Sequence, residues 1–507
     1  MDSEAGGTAL TGRADALRAE APRELPTMGL RIRVLRASFW ALLQSSAPKF
    51  VSFIALMIMT RFLSPAEIGI AAAIGALLAL AELICEQGLG DTLVQRHQVS
   101  RADQNLVFCT IVGTALVVAA TMSLGADFIA GLLRAPELDT YIHIAALYLP
   151  LAGLGVVQQS IYRRKLEYRW IGVRSAIAAV ISAIFAVATA WAGGGAWALI
   201  VQITMFGALS STLLWVGRPF IPTLDIKGAD VAGIFRYSSM LAGSKLVEFA
   251  ASRSIEFIIL GRLGAAALGL YFLGAKLAQT ALQLISPPLV DVAHAVFSRA
   301  ATDREQAREL YLRGMLACGL IAVPLMIMLS VLSSEVVRVL YGNAAANAAP
   351  VLAYLSLLGA LSCIQYVNLS FLNASGRPSI SFLFTLARAV AINFLLLFSH
   401  ADDVSEIVLI FALTETFLFP VSIWLATRLA GISIARWIGR MWPVLAAAAA
   451  MYVAMITLGT EAVADLHPVA RILILGPAGA LVFAGVAWML DGRRILQFVR
   501  GTTTRLQ

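Results

Sequence analysis

Charge is scarce in this chain. Asp, Glu, Lys and Arg make up 13% of its 507 residues, about half the share of a soluble domain, which excludes a water-facing globule. Cysteine is scarce too. Cys85, Cys109, Cys318 and Cys363 all fall in apolar stretches with no paired spacing, so neither a disulfide framework nor a metal site is indicated. No glycine-rich phosphate loop occurs, and the short loops leave no room for an ATPase domain. No cofactor is called for. The net charge of +8 comes from bases at the ends of apolar runs without stacking aromatics, which excludes nucleic acid as a partner.

Hydrophobic residues fill that space: they form 59% of the chain, and the mean hydropathy is +0.82. Crossing roughly 30 Å of hydrocarbon takes about 20 apolar residues in a helix. Such runs recur at 39–62, 68–90, 105–125, 141–162, 170–192, 195–216, 237–261, 266–291, 311–333, 348–371, 378–398, 404–427, 441–459 and 469–490. Long runs rather than alternating ten-residue segments exclude a β-barrel. The chain reads as an all-α polytopic membrane protein of about 14 spans. Bases such as Arg163, Arg164, Lys165, Arg169, Arg299, Arg436 and Arg440 fall on the side of the N-terminus, and few, among them Arg61, Arg134, Arg262 and Arg338, on the other. The positive-inside rule then puts both termini in the cytoplasm. Residues 1–37 form a polar tail without the apolar core of a signal peptide.

A repeat organises the spans. Leu63-Ser64-Pro65-Ala66-Glu67-Ile68-Gly69-Ile70 answers, 200 residues on, to Leu263-Gly264-Ala265-Ala266-Ala267-Leu268-Gly269-Leu270. In the same register Leu77 meets Leu277, Leu89 meets Leu289 and Asp91 meets Asp291. Six spans separate the copies, so both share one orientation, as in a parallel repeat of two helical bundles. The expected domains are a tail at 1–37, a lobe at 38–216, a cytoplasmic joint at 217–235 and a second lobe at 236–427. Two appended spans at 428–490 and a cytoplasmic tail at 491–507 complete the chain. Two longer external loops, 126–140 and 334–347, read as amphipathic lids after the third and ninth spans.

Ionisable groups inside spans cost several kcal/mol and are retained at cavities or ion pairs. Lys49 lies near the middle of span 1, on one face with Ser45 and Ser52 and beside Gln44. Span 7 carries a polar stripe of Lys245, Glu248, Ser252, Arg253 and Glu256, in which Glu248–Lys245 and Glu256–Arg253 pairs are also available at i, i+3. Span 8 presents Lys276, Gln279 and Gln283, and span 2 presents Glu82 and Glu86 one turn apart. Spans 1, 2, 7 and 8 therefore line a hydrated path. Lys49, Lys245, Arg253, Lys276, Gln279 and Gln283 are its substrate-binding candidates. Glu82, Glu86, Glu248 and Glu256 are candidates for ion coupling or ion pairing. Arg388 and Glu415, at similar depth on consecutive spans, read as a structural ion pair. Gln365, Asn368 and Asn373 read as interhelical hydrogen-bonding groups. Arg174 reads as snorkelling to the interface, and His143 as making a local bond. Mid-membrane cations favour an anionic cargo such as a phosphate or diphosphate and disfavour a cationic drug.

Several motifs carry a family resemblance: Arg61-Phe62-Leu63-Ser64-Pro65-Ala66-Glu67-Ile68-Gly69, Glu86-Gln87-Gly88-Leu89-Gly90, Tyr162-Arg163-Arg164-Lys165-Leu166-Glu167-Tyr168-Arg169 and Gly193-Gly194-Gly195-Ala196-Trp197-Ala198-Leu199-Ile200-Val201-Gln202. With Leu260-Gly261-Arg262-Leu263-Gly264, Pro287-Pro288-Leu289 and Leu340-Tyr341-Gly342, their order and spacing over residues 30–430 resemble Wzx-type polysaccharide flippases of the multidrug/oligosaccharidyl-lipid/polysaccharide exporter superfamily, notably the colanic-acid-exporter branch. The resemblance implies a transporter in the bacterial inner membrane, not an enzyme. It would flip undecaprenyl-diphosphate-linked oligosaccharide for exopolysaccharide, capsule or O-antigen synthesis. It would work within membrane lipid and alongside a polysaccharide polymerase and a chain-length regulator. Proton or sodium coupling competes with the membrane potential as the drive. The alternatives are an ion-coupled small-molecule antiporter of the same fold and a membrane glycosyltransferase or polymerase, for which the external loops are too short. A reporter enzyme fused near Asp402 should read external and one near Arg436 cytoplasmic; the opposite pattern would break the span assignment.

Overall fold

The computed structural model describes residues 46–96, 98–217, 220–299, 304–374, 378–461, 463 and 465–503. The polar tail at 1–37, Gln44, Ser45, Arg218-Pro219 and Arg377 lie outside them, as do the side chains of Asp291 and Asn373. Every regular element described is a helix, the form that satisfies backbone groups internally where water is absent. The first half holds α1 (Ser46–Met59), α2 (Pro65–Glu86), α3 (Leu89–Gln95), α4 (Arg101–Leu124), α5 (Ala126–Leu132), α6 (Leu138–Ala146), α7 (Tyr148–Arg164), α8 (Tyr168–Trp191) and α9 (Trp197–Leu214). The second holds α10 (Val231–Ser252), α11 (Ser254–Arg299), α12 (Arg304–Val331), α13 (Ser333–Tyr341), α14 (Ala349–Ala374), α15 (Pro378–Phe398) and α16 (Val404–Ala430). After them come α17 (Ile434–Glu461) and α18 (Pro468–Thr503). The expected lid segments 126–140 and 334–347 hold the short helix α5 and most of α13, while α6 leads into the spanning stretch Leu138–Arg164.

Twelve helical stretches among the described residues are long and apolar enough to cross a membrane. One of them, Val231–Gln283, runs for 53 residues, far more than one crossing needs. The chain turns within it at Gly264, whose φ of 83° and ψ of −179° suit glycine alone. Arg253 and Lys276, 23 residues apart, consequently line one cavity. The expected span at 237–261 is also broken, because α10 ends at Ser252 and α11 begins at Ser254. Outside donors intrude there: the Ala250 carbonyl accepts from Ser254 Oγ at 2.6 Å and from Asn393 Nδ2 of α15 at 3.0 Å. Side chains inserted into the backbone ladder are a recognised cause of such breaks.

Local signals explain the start of α2. Ser64 caps it, Pro65 occupies its first turn, and the Glu67 carboxylate accepts from the Ser64 amide at 2.7 Å. Four residues into that helix lies the tightest approach between the halves. A Cβ on Gly69 would overlap the carbonyl oxygen of Ala265, and a Cβ on Gly269 would overlap that of Pro65. Each overlap is the image of the other under the 200-residue offset. The two repeat copies thus cross backbone to backbone, as small residues allow inside membranes. Around the crossing, one buried apolar core takes Ile68 and Ile74 from α2 and Leu268 and Leu273 from α11.

The appended helices pack on the second half. Ala447 and Met451 of α17 and Leu475 and Phe483 of α18 share a core with Val323 and Met326 of α12, and Arg471 pairs with Glu335 of α13 at 2.9 Å. Within the Ala446–Ala450 run, Ala447 and Ala448 pack into this core and Ala449 is exposed. The joint folds back onto the first half: Asn105 donates to Thr223 Oγ1 at 2.7 Å and to the Asp225 carbonyl at 2.8 Å. Arg96 bonds to Asp230, the cap of α10, and together with the Gly233 amide holds its carboxyl below the usual carboxylate range. Arg174 does not snorkel. It is 3% exposed and donates to the Ser210 carbonyl and to Gln159 Oε1, acceptors nearer than the interface.

Replacing Gly69 or Gly269 by Val should destabilise the folded protein by about 1–3 kcal/mol or more, because backbone cannot give way as a side chain can. Gly113→Ala, where nothing lies within 4 Å of the added carbon, should leave stability unchanged or raise it by up to about 1 kcal/mol. Size-exclusion profiles of detergent-solubilised protein after graded heating would read both effects; a tolerated Gly69→Val would contradict the crossing.

Candidate functional site

Polar groups of both halves converge on a cavity of about 300 Å³ beneath the glycine crossing. α1 contributes Ser52, α2 contributes Glu82 and α9 contributes Gln202, while Arg253 and Lys276 come from the α10–α11 break and from α11. Repeat-related positions face each other across it: Ala72 answers Phe272, and Ala76 answers Lys276. The small residues of α2 leave room for the longer side chains of α11. Gln202 Nε2 donates to Ser52 Oγ at 3.3 Å, and Tyr148 donates to the Glu82 carboxylate.

Two cations, Arg253 and Lys276, and one carboxylate, Glu82, line this cavity. Lys276 is repelled by the charges of Arg253 and Lys49. Arg253 is offset by Glu256, at 2.8 Å and itself 7% exposed, as the i, i+3 spacing allows. Neither Lys49, which is exposed, nor Lys276 has a carboxylate within ion-pair distance among the described residues. Lys276, with no carboxylate at ion-pair distance among the described residues, and the partly exposed Arg253 guanidinium offer an anion two cationic contacts in a cavity that Glu82 also lines.

Two further cavities flank the central one. In the first half, Glu82, Glu86, Tyr148 and Gln159 line a space of about 200 Å³, so Glu82 stands in the wall between two cavities. In the second half, Glu248, Gln279, Gln365, Tyr366, Arg388 and Glu415 surround another space of about 200 Å³. There Arg388 reaches Glu415 at 3.3 Å and Glu248 at 3.6 Å. The expected Arg388–Glu415 pair is present, with Glu248 as an additional partner. Glu248 therefore does not pair with Lys245.

Lys245 instead binds Asp91 of α3 at 2.7 Å, and Arg163 approaches the same carboxylate at 3.7 Å. This ion pair ties α10 to the first half at the end of α2 away from Gly69, where the Gln87-Gly88 elbow also lies against Leu241. The halves thus meet at both ends of the central cavity. Lys245 and Gln283 line none of the three cavities. Asn368 joins helices as expected, accepting from Tyr311 at 2.8 Å and donating to Ser422 at 3.2 Å. His143 lies 3.4 Å from Asp139. Tyr148 and Gln202 escaped sequence reasoning as site residues. Gln202, a lone amide within an apolar span, carried a usable signal; Tyr148 carried none.

Residues 58–350 match the family described as "Polysaccharide biosynthesis protein". The chain is 26% identical over 366 residues to the succinoglycan biosynthesis transport protein ExoT of Rhizobium meliloti (strain 1021), covering 72% of this chain and 74% of that one. It is 22% identical over 361 residues to the lipopolysaccharide biosynthesis protein WzxC of Escherichia coli (strain K12), covering 71% and 73%. Its fold is similar to that of the lipid II flippase MurJ in an inward closed conformation, with a TM-score of 0.72 at 12% identity, over 90% of this chain and 99% of that one.

If the Lys245–Asp91 pair closes one end of the cavity, Asp91→Asn should expose the interior. In a background without the four native cysteines, Gln202→Cys should react several-fold faster with a membrane-impermeant maleimide when Asp91→Asn is added. An unchanged rate would exclude a closing role for the pair.

Proposed function

The chain belongs to the polysaccharide biosynthesis protein family, and from that premise we propose that it flips undecaprenyl-diphosphate-linked oligosaccharide from the inner to the outer leaflet of the bacterial inner membrane by alternating access. The observation that carries this reading is the convergence of Arg253 and Lys276, together with Ser52, Gln202 and Glu82, on one cavity between the halves. A diphosphate answers that charge, and the relatives' names point to polysaccharide export. The polyprenyl tail stays in lipid. A groove of about 530 Å³ lined by apolar side chains of α1 and α8, Val51, Ala55, Val187 and Trp191 among them, lies on the face of α1 turned away from Ser52.

In this reading the chain crosses the bilayer fourteen times, with α1 in the first crossing and Val231–Gln283 counted as two. Both termini are cytoplasmic. Residues 38–216 and 236–427 act as lobes joined by 217–235, with 428–490 appended and 1–37 and 491–507 as tails. The Gly69–Gly269 crossing seals the external end and Lys245–Asp91 latches the cytoplasmic end. Cations capture the diphosphate from inside, the latch opens and closes, and rocking of the lobes releases the cargo outside. An inside-negative potential favours outward movement of negative charge by about 2.3 kcal/mol per charge per 100 mV. Glu82, held by Tyr148 between two cavities, is the best-placed group for proton coupling. A polymerase and its chain-length regulator consume the product.

Antiport of a small organic cation is disfavoured by the same cavity charges, and ethidium efflux set against lipid-linked glycan flipping in reconstituted vesicles separates the two activities. Lys276→Gln and Arg253→Gln should each lower the initial rate of lipid-linked oligosaccharide translocation in proteoliposomes by about tenfold or more, the equivalent of one charge-assisted contact. Wild-type rates for both variants at equal membrane incorporation would overturn charge capture.

A further inference from the structure

The cavity of the second half has a chemistry unlike that of the central one. Its charged groups are two carboxylates, Glu248 and Glu415, against one guanidinium, Arg388. That balance repels a diphosphate. Its interior also keeps unpaired donors: Gln365 is 7% exposed, and neither its Nε2 nor Arg388 Nε has a hydrogen-bond partner among the described residues. A buried donor left unpaired costs about 1–3 kcal/mol, so such groups are retained where something else bonds them.

At the mouth the chemistry changes again. Glu248, with 60% of its side chain exposed, stands with Gln279 and the 44% exposed ring of Tyr366. Fixed amides and carboxylates offer donors and acceptors side by side, and a phenol ring offers a flat apolar face with a polar tip. A pyranose has the complementary character: each hydroxyl both donates and accepts, and the ring presents an apolar C–H face. The two cavities lie on different sides of the same segments, one residue apart in register: Ser252 and Tyr271 line this one while Arg253 and Phe272 line the central one.

We infer that the cavity bounded by α10, α11, α14, α15 and α16 is a sugar subsite that receives the glycosyl residues next to the diphosphate while the diphosphate rests by Arg253 and Lys276. The inference rests on the flippase reading above and adds to it the source of glycan discrimination. Gln365 and Arg388 donate to sugar hydroxyls, Glu248 and Gln279 meet hydroxyls at the mouth, and Tyr366 covers a ring face. A site built to bond hydroxyls discriminates strongly against a ligand that lacks them.

The test uses the full chain in lipid nanodiscs and two probes. One is the lipid-linked oligosaccharide extracted from the source bacterium. The other is undecaprenyl diphosphate, prepared by chemical synthesis. The wild type should bind the oligosaccharide about tenfold or more tighter than the bare diphosphate, the worth of one or two net hydrogen bonds. Gln365→Leu should remove that preference and leave undecaprenyl diphosphate binding unchanged. Gln279→Leu, at the exposed mouth, should reduce the preference with no burden on folding. Equal wild-type binding of both probes, or equal weakening of both by the variants, overturns the subsite and leaves the flippase reading standing. Binding of neither probe overturns both.

Discussion

Two glycines in contact set the geometry on which everything else depends. Where Gly69 meets Gly269, no side chain separates α2 from α11, and the backbones approach as nothing larger would permit. Packing, rather than a solvent-driven hydrophobic effect, holds helices together inside a bilayer, so this approach brings the two halves into register. From it, α2 and α11 extend to the Ala72–Phe272 and Ala76–Lys276 positions that wall the central cavity. The opposite end of α2 closes by other means. Lys245 and Asp91 meet across the halves, and an ion pair is readily exchanged for water or for a competing anion. One end is closed backbone to backbone, and the other is bridged by an ion pair.

Duplication explains the frame but not the charges. Ala76 and Lys276 occupy equivalent positions, so the cation on one side faces a methyl group on the other. A symmetric ring of lysines would raise the self-repulsion of the empty cavity. Distributing charge unequally lets Glu256 temper Arg253 while Lys276 stays unpaired among the described residues. The same inequality gives the second half a carboxylate-rich cavity and the first half a carboxylate hydrogen-bonded to Tyr148. A lipid-linked glycan is itself asymmetric, with a small doubly charged centre between an apolar tail and a neutral polyol. Three adjoining environments of different polarity suit such a molecule better than one uniform chamber.

Much of this was legible in the chain. Apolar length placed the helices, because hydrocarbon tolerates no other fold for a chain of long apolar runs, and the 200-residue offset marked Gly69 and Gly269 as equivalent positions, though not that they touch. Spacing along one helix anticipated the Arg253–Glu256 pair, and depth anticipated Arg388–Glu415. What stayed hidden depended on partners distant in sequence. Lys245 looked like part of a cavity stripe, but its position on α10 aims it at Asp91, 154 residues away. The break at Arg253 owes part of its cause to Asn393, 143 residues from the carbonyl it bonds. Arg174 had a nearby interface available, yet found closer acceptors on neighbouring helices. Periodicity reports which face is polar, and depth reports what that costs; neither reports what stands opposite.

In the proposed cycle, a dry seal and a polar latch open in turn around one anion-binding cavity. Spin-label distances in nanodiscs test it most directly, with one pair at Phe62 and Arg338 beside the glycine crossing and another at Gln98 and Ser239 beside the latch, all exposed positions. The account predicts that adding lipid-linked oligosaccharide redistributes both pairs in opposite senses, so that the long distance at one end accompanies the short distance at the other. Long distances at both ends together, or no redistribution at either, would contradict it.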